Sequence, residues 1–189
     1  MTRKPRKATP QSLHNAALFY LQRFATSAEN LRRVLIRRVE RSVRAHQTDR
    51  EEGLAAVDDL IVRFRKSGLL DDRAYAEARA KTLRARGMPS RVIRGRLRQK
   101  GVAEDDVDAG LAAADGDTDD ADFAAAVNFA RRRRLGPFRR AEAVGADRPE
   151  TGEKDLAILA RAGFRYDVAR RILAAKTPED LDPTAFNGA

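Results

Sequence analysis

Apolar residues recur along this chain three and four positions apart, which is the spacing of one face of an α-helix. One clear apolar stripe contains Leu31, Leu35 and Val39, and the arginines between Arg33 and Arg44 fall mostly on the opposite side. No window alternates strictly between apolar and polar positions in β-branched or aromatic residues, as a half-buried strand would. The pattern therefore predicts an all-α protein.

Residues typical of helix ends divide this pattern into separate helices. A first helix is expected at about residues 12–24. Thr26 followed by Glu29, and Asp49 followed by Glu52, have the spacing of helix N-caps. Asp71 is placed to cap a further helix. Helices are expected to end where a glycine follows the apolar pattern, and these glycines are Gly68, Gly87, Gly101 and Gly163.

Two segments of the chain repeat the same order of features. Residues 97–111 and 159–173 each contain a helix end, a glycine, an apolar residue and a short helix that ends in leucine. A longer, alanine-rich helix precedes each segment, at 71–86 and 120–135. Repeats of about 45–60 residues are typical of stacked helical arrays. We predict three tandem three-helix repeats that form an elongated, curved array; a single globular helical domain is the alternative.

These features predict the organisation of the chain. A disordered basic tail is expected at 1–11, repeat 1 with a long middle helix at 12–67, repeat 2 at 68–114, repeat 3 at 115–175, and a flexible tail at 176–189. Glycine and proline in residues 141–152 predict a mobile loop inside repeat 3.

The charge of the chain points to a polyanionic partner. It carries 38 Lys and Arg against 28 Asp and Glu, a net charge of +10, and 31 of the 38 cations are arginine. Such an excess favours nucleic acid, an acidic protein face or anionic lipid. The planar guanidinium group suits phosphate and carboxylate in particular.

Two clusters of cations are the candidate binding sites in the sequence. Residues 78–103 carry nine Arg or Lys and no acid. At 100° per residue, Arg91, Arg94 and Arg98 project together, with Lys81 and Arg84 on the preceding helix. The second cluster lies in residues 131–140. Arg134 is expected over an apolar stripe there, and Arg132 and Arg133 are expected to face outward. The candidate binding residues are Lys81, Arg84, Arg91, Arg94, Arg98, Lys100, Arg132, Arg133, Arg139 and Arg140. A solvated basic face is the alternative for any single arginine.

Residue types that catalysis or metal binding would need are scarce. The chain has no cysteine, and His14 and His46 lie apart from any triad or ligand pattern. It has no Gly-x-x-x-x-Gly-Lys-Ser/Thr phosphate loop, and the aspartates of the linker at 115–122 lack the glycine and terminal glutamate of an EF-hand. We therefore expect no enzyme activity, no cofactor and no metal.

The sequence also bears on the compartment. The basic N-terminus is not followed by the apolar segment of a signal peptide, and no apolar run is long enough to cross a bilayer. The absence of cysteine fits a reducing compartment. We expect a cytoplasmic monomer without a membrane partner.

Several short segments, taken in their order and spacing, resemble the RecX family of regulatory proteins. They cover most of residues 12–175. The first two are Gly-Leu-Leu-Asp-Asp-Arg-Ala-Tyr-Ala-Glu-Ala at 68–78 and Arg-Gln-Lys-Gly-Val at 98–102. The others are Ala-Arg-Arg-Arg-Arg-Leu-Gly-Pro-Phe-Arg at 130–139 and Ala-Arg-Ala-Gly-Phe-Arg-Tyr-Asp-Val-Ala-Arg-Arg at 160–171.

The resemblance implies tandem three-helix repeats that bind the RecA recombinase filament on single-stranded DNA. It further implies binding along the filament groove, slower filament growth, and lower ATPase, strand-exchange and co-protease activities of RecA. It implies no enzyme chemistry of the protein itself. The first repeat departs from the family pattern, because residues 37–46 lack the glycine that usually follows the middle helix. We expect an extended middle helix and a rearranged first repeat.

Two other functions remain open from the sequence. The short helices joined at Gly101 and Gly163 resemble a helix-turn-helix that reads duplex DNA. No helix rich in Asn and Gln stands out for base reading. A basic protein that binds RNA or the ribosome is the other alternative.

Overall fold

The computed structural model describes residues 5–116, 120–139 and 149–181. Within these residues the secondary structure is nine α-helices and two 3₁₀ turns, without strands, which confirms the all-α prediction. The helices are α1 (Pro10–Leu21), α2 (Ala28–His46), α3 (Arg50–Lys66), α4 (Asp72–Ala85), α5 (Ser90–Gln99), α6 (Glu104–Asp115), α7 (Ala121–Arg133), α8 (Pro149–Ala162) and α9 (Tyr166–Ala174). The 3₁₀ turns are Gly136–Phe138 and Glu179–Leu181. None of the described helices is long and apolar enough to span a membrane.

Along the chain the helices form three successive groups of three, as the repeat predicted. The packing, however, divides the chain into two compact units. The first unit contains the residues up to Ala76 together with Leu97–Ala109, and the second contains Glu77–Arg96 and the residues from Gly110 onward. Helices α4, α5 and α6 therefore contribute residues to both units, and the boundary between units does not follow the predicted repeat boundaries.

The core of the first unit is built by α1, α2 and α3. The stripe predicted on α2 is buried, with Leu31, Leu35 and Val39 at 0–1% exposure, and it packs with residues such as Leu60 and Phe64 of α3. His14 meets the Phe64 ring edge-on, with ring centroids 5.5 Å apart. This histidine is thus a packing residue on an apolar face.

Side-chain caps start the helices of this unit. Asp49 accepts a hydrogen bond from the Glu52 N–H at 3.0 Å, and Asp71 accepts one from the Ala74 N–H at 2.8 Å, as predicted. The cap predicted at Thr26 is one residue off, because Ser27 Oγ accepts from the Asn30 N–H. Thr26 Oγ1 instead accepts from the Asn30 side chain.

The end of α2 explains how the first repeat manages without a glycine. The helix is 19 residues long, which fits the expected extension, and Gln47 after it takes the left-handed conformation with φ of 52°. The Gln47 N–H donates to the Val43 carbonyl at 2.9 Å, which closes the last turn. The three helices of this repeat still pack against one another.

The structure corrects three predicted flexible segments. Helix α1 begins inside the predicted N-terminal tail, at Pro10, and the Ala8 N–H donates to Ser42 Oγ at 2.9 Å. Helix α8 begins at residue 149, inside the predicted loop at 141–152; residues 141–148 lie outside the described residues. Near the C-terminus Leu181 is only 2% exposed and packs in the core of the second unit. Its burial requires an ordered chain beyond residue 176.

The core of the second unit contains side chains from α7, α8 and α9. Its fully buried members include Ala126, Ala130, Leu159 and Ile172, and Phe123 and Phe164 lie beside them. Small residues on α7 leave room for close approach of its neighbours.

A partly buried arginine at the end of α4 joins several chain segments of this unit. The Arg84 side chain is 11% exposed and forms a bidentate pair with Asp115, at 2.7 and 3.0 Å. Its Nη1 donates to Asp122 at 2.8 Å and to the Met88 carbonyl at 2.9 Å. Asp122 also accepts from the Ser90 N–H at 2.7 Å. Arg84 therefore links α4, α6, α7 and the start of α5.

Two left-handed glycines of the first unit provide a matched stability test. Gly101 (φ +76°) has no room for a side chain, because a Cβ there would lie 2.5 Å from Glu29 Cβ, whereas Gly68 (φ +73°) has nothing within 4 Å. We expect Gly68→Ala to cost about 1 kcal/mol of unfolding free energy through backbone strain alone. Gly101→Ala should cost about 1–3 kcal/mol more through overpacking. Urea unfolding measures both, and equal losses would contradict the packing at Gly101.

Loss of Arg84 should destabilise the second unit strongly. Arg84→Met leaves Asp115 and Asp122 without their cation, and we expect a loss on the order of 3 kcal/mol in unfolding free energy. Lys81→Met on the same helix is the control, because Lys81 is exposed, and it should change stability by less than about 0.5 kcal/mol. Thermal and urea unfolding give both values. Similar stabilities of the two variants would refute the structural role of Arg84.

The same network predicts a pH dependence. Burial disfavours the charged form of Asp122, but hydrogen bonds from Ser90 and Arg84 and the Arg84 charge outweigh it, so its pKa lies below the ordinary 3.8. A carboxyl whose pKa is lowered by folding stabilises the native state above its unfolded pKa, and this contribution disappears as pH falls. Asp122→Asn should therefore be less stable than the native chain at pH 7, and the difference should shrink below about pH 4. A difference independent of pH would contradict the network.

Candidate functional site

A basic cleft lies within the second unit. Its volume is about 560 Å³, which is in the range of ligand-binding clefts. Five arginines line it: Arg86, Arg96, Arg132, Arg133 and Arg161. No aspartate or glutamate is among its lining residues in the part of the chain that the structure describes. We call this site the arginine cleft.

Four helix ends contribute these arginines. Arg86 follows the last residue of α4, Arg132 and Arg133 belong to the last turn of α7, and Arg161 belongs to the last turn of α8. The carbonyl groups at a helix C-terminus carry partial negative charge and favour cations in the last turn. Arg96 belongs to the last turn of α5. The convergence of C-termini therefore explains why cations collect here without acidic partners.

Three guanidinium groups of the cleft contact neutral groups. Arg132 donates to the backbone carbonyl of Arg86, and Arg161 donates to the Ala157 carbonyl at 3.1 Å. The Arg133 guanidinium lies 5.8 Å from the centroid of the Phe129 ring. No ion pair joins any of the five to a carboxylate in the part of the chain that the structure describes. Their charge is therefore available to an external anion.

Apolar groups form the rest of the cleft. Met88, Pro89, Val92, Phe129 and Ala162 line it between the arginines. Low-dielectric walls of this kind strengthen the field of nearby charges and concentrate anions. The Arg91 guanidinium, which does not line the cleft, lies near it: its Nη2 is 3.7 Å from the position that a Cβ on Gly163 would take. The arrangement suits several phosphate or carboxylate groups in succession.

The described candidate residues predicted from the sequence are divided between the two units. Arg132 and Arg133 line the arginine cleft. Lys81 and Arg91 are exposed in the second unit, and Arg94 there is half-buried. Arg98 and Lys100 belong to the first unit, where Arg98 pairs with Glu104 at 2.7 Å. Lys100 Nζ donates to the Asn30 side chain at 3.2 Å.

Two of the predicted binding residues, Arg84 and Arg139, form ion pairs inside the second unit. Arg84 is the partly buried partner of Asp115 and Asp122 described above. Arg139 pairs at 2.6 Å with Asp155, which is only 4% exposed and also accepts from the Gly136 N–H. These two guanidinium groups are structural.

Two further arginines complete the comparison with the predictions. Arg134 does not lie over the apolar stripe of α7; it ends that helix in the left-handed conformation, with φ of 56°, and is exposed. Arg140 lies outside the described residues.

The sequence analysis missed Arg86, Arg96 and Arg161 as binding candidates. Arg86 and Arg96 belong to the acid-free segment 78–103, but neither shares the helix face of Arg91, Arg94 and Arg98. Arg161 appeared only as part of the repeat. The signal that could have found them is the position of basic residues in the last turns of successive helices.

The acidic residues near the linker are occupied by arginines. Asp115 and Asp122 bind Arg84, and Asp120 caps α7 through the Phe123 N–H and pairs with Arg171 at 2.9 Å. Among the described residues, no group of three or more His, Asp or Glu side chains is placed to hold a metal ion.

Comparisons with known proteins agree with this architecture. The family model for the second three-helix domain of RecX matches residues 71–111. A crystal structure of RecX from Lactobacillus salivarius superposes with a TM-score of 0.62 over 88% of this chain and 96% of that one, at 21% identity. A second RecX crystal structure gives a TM-score of 0.59 at 22% identity, over 88% of this chain and 72% of that one. These likenesses bear on the fold.

Curated relatives extend the similarity over nearly the whole sequence. The regulatory protein RecX of Myxococcus xanthus is 44% identical over 171 residues, which cover 90% of this chain and 89% of that protein. The regulatory protein RecX of Agrobacterium fabrum is 30% identical over 172 residues, which cover 89% of this chain and 85% of that protein. The chain belongs to the RecX family of regulatory proteins.

Proposed function

We propose that this protein binds the RecA recombinase filament on single-stranded DNA and restrains it. Binding would slow filament growth and lower the ATPase, strand-exchange and co-protease activities of RecA, and so modulate recombination and DNA repair in the cytoplasm. The protein would act as a monomer, without a cofactor and without catalysing a reaction itself. Its relatives are named regulatory proteins, which fits a role in control rather than in catalysis.

The observation that carries the proposal is the arginine cleft in a chain of this family. A filament of protein and single-stranded DNA presents rows of phosphates and carboxylates, and five arginines that have no acidic partner among the described residues match such a surface. Displacing counterions from the polymer would drive association and make it sensitive to salt. The net charge of +10 adds long-range attraction that speeds encounter.

The exposed cations predicted from the sequence extend the proposed contact. Lys81 and Arg91 of the second unit, and Lys100 of the first, remain candidate contacts, because each has an exposed side chain. Arg98 is also exposed, but its pair with Glu104 would have to open. We rank these residues below the five arginines of the cleft.

Inhibition of RecA gives the test. Purified protein is added to RecA, single-stranded DNA and ATP, and hydrolysis is followed; the native chain should inhibit at sub-stoichiometric levels. For the triple variant Arg132→Gln, Arg133→Gln, Arg161→Gln, we expect the concentration that gives half-inhibition to be at least about tenfold higher than for the native chain. The reason is the loss of three charge-assisted contacts. Its unfolding free energy should stay within about 1 kcal/mol of the native value, since all three side chains are exposed.

A matched variant separates local contacts from net charge. The control is the triple variant Arg44→Gln, Arg63→Gln, Lys66→Gln. It also removes three positive charges, but from exposed sites of the first unit. It should inhibit nearly as well as the native chain. Equal loss of inhibition in both triple variants would refute the role of the cleft. Retention of a specific duplex at high salt, with no effect on hydrolysis, would instead support a duplex reader.

A further inference from the structure

A second basic cleft lies in the first unit, and no part of the proposed function uses it. Its volume is about 600 Å³, and it is lined by side chains of α1, α2, the segment before α1 and the turn after α1. Its described lining residues include four arginines, Arg6, Arg23, Arg38 and Arg41, and no acidic residue. Three aromatic side chains distinguish it from the arginine cleft, and we call it the aromatic cleft.

The aromatic side chains of this cleft are open to solvent. Phe19 and Phe24 are each 55% exposed, although phenylalanine is usually buried. Tyr20 lies against Phe24 with ring centroids 5.1 Å apart, and the Arg23 guanidinium lies 4.2 Å from the Phe19 centroid. Two exposed rings beside a common cavity, with guanidinium groups around them, form a surface for a planar, anionic ligand.

One arginine of the cleft contains an unsatisfied donor. The Nε–H of Arg38 is buried and has no hydrogen-bond partner among the described residues. A buried donor without an acceptor is costly, and more so on a charged group. Arg38 lies on α2 and lines the cleft. A shift of the Arg38 side chain toward the cleft would let an anionic oxygen there supply the missing acceptor.

We propose that the aromatic cleft binds single-stranded nucleic acid directly. An unstacked base lies against Phe19 or Phe24, and the adjoining phosphate accepts hydrogen bonds from Arg38 and the neighbouring arginines. Base stacking suits any sequence because every base has an aromatic face. A duplex is excluded from this mode, since its bases are stacked inside. An acidic peptide would satisfy the arginines but leave the two rings without a planar partner.

The inference rests on the proposed function only for the choice of polymer, and its test needs no recombinase. The probe is a thymidine oligonucleotide that contains one 2-aminopurine, whose fluorescence falls when the base stacks on a ring. The absence of tryptophan in the chain leaves this signal free of background. Addition of the native protein should quench the probe to saturation.

Substitutions that keep the cleft apolar isolate stacking. The double variant Phe19→Leu, Phe24→Leu should abolish the quench and weaken binding about tenfold. Leu69→Ala is the control, because Leu69 is an exposed apolar residue of the same unit outside the cleft, and it should behave as the native chain. Arg38→Gln should weaken binding about tenfold more than Arg63→Gln, which removes an exposed charge elsewhere in the unit. Circular dichroism checks that each variant is folded.

Two results would overturn the inference. One is a full quench and native affinity in the double leucine variant. The other is displacement of the probe by oligoglutamate at lower concentration than by unlabelled thymidine oligonucleotide, which would assign the cleft to an acidic protein segment. If either occurs while substitution of the arginine cleft still relieves inhibition of RecA, this inference fails and the proposed function stands. If the quench behaves as expected but the native chain leaves ATP hydrolysis by RecA unchanged, the proposed function fails and the inference about the aromatic cleft stands.

Discussion

The pairing of carboxylates with arginines determines what this protein can bind. Acids are fewer than cations, and many of the described ones are engaged at helix ends or on semi-buried guanidinium groups. Asp72 accepts from the Ala28 N–H at the start of α2 and from Arg65, Asp122 holds Arg84, and Asp155 holds Arg139. Because these carboxylates are committed to the fold, the five arginines of the arginine cleft form no ion pair with any carboxylate among the described residues. Arginine thus serves two purposes: where it pairs with a carboxylate it stabilises the fold, and elsewhere it is available for binding.

The sequence predicted the all-α class, the helix stops and the buried stripe of α2, because these depend on local chemistry. A glycine that takes positive φ, an aspartate three residues before a free N–H, and a 3.6-residue period are all readable without tertiary contacts. The residue at which α2 ends could not be predicted. Glutamine takes the left-handed conformation at position 47, where glycine was the expected residue. The ordered C-terminal segment could not be predicted either, since it depends on the burial of Leu181.

The candidate site was predicted less well than the fold, and the reason is physical. Helix periodicity shows which arginines share a face, but it cannot show which carboxylate approaches from another helix. Arg84 and Arg132 look alike in the sequence; one is enclosed by Asp115 and Asp122, and the other lines an acid-free cleft. The exposed Phe19 and Phe24 illustrate the same limit for apolar residues, since an aromatic at helical spacing is usually core. In both cases, residues that are distant in the sequence determine whether the side chain is enclosed or exposed.

Chemical footprinting of the arginines tests the central claim most directly. A dicarbonyl reagent that modifies accessible guanidinium groups is applied to the protein alone and to its complex with RecA on single-stranded DNA, and mass spectrometry gives the rate at each site. The account predicts fast modification of Arg86, Arg96, Arg132, Arg133 and Arg161 in the free protein, strong protection of these five in the complex, and slow modification of Arg84 and Arg139 in both. Unchanged rates at the five cleft arginines in the complex, or rates in the free protein as slow as that of Arg84, would contradict it.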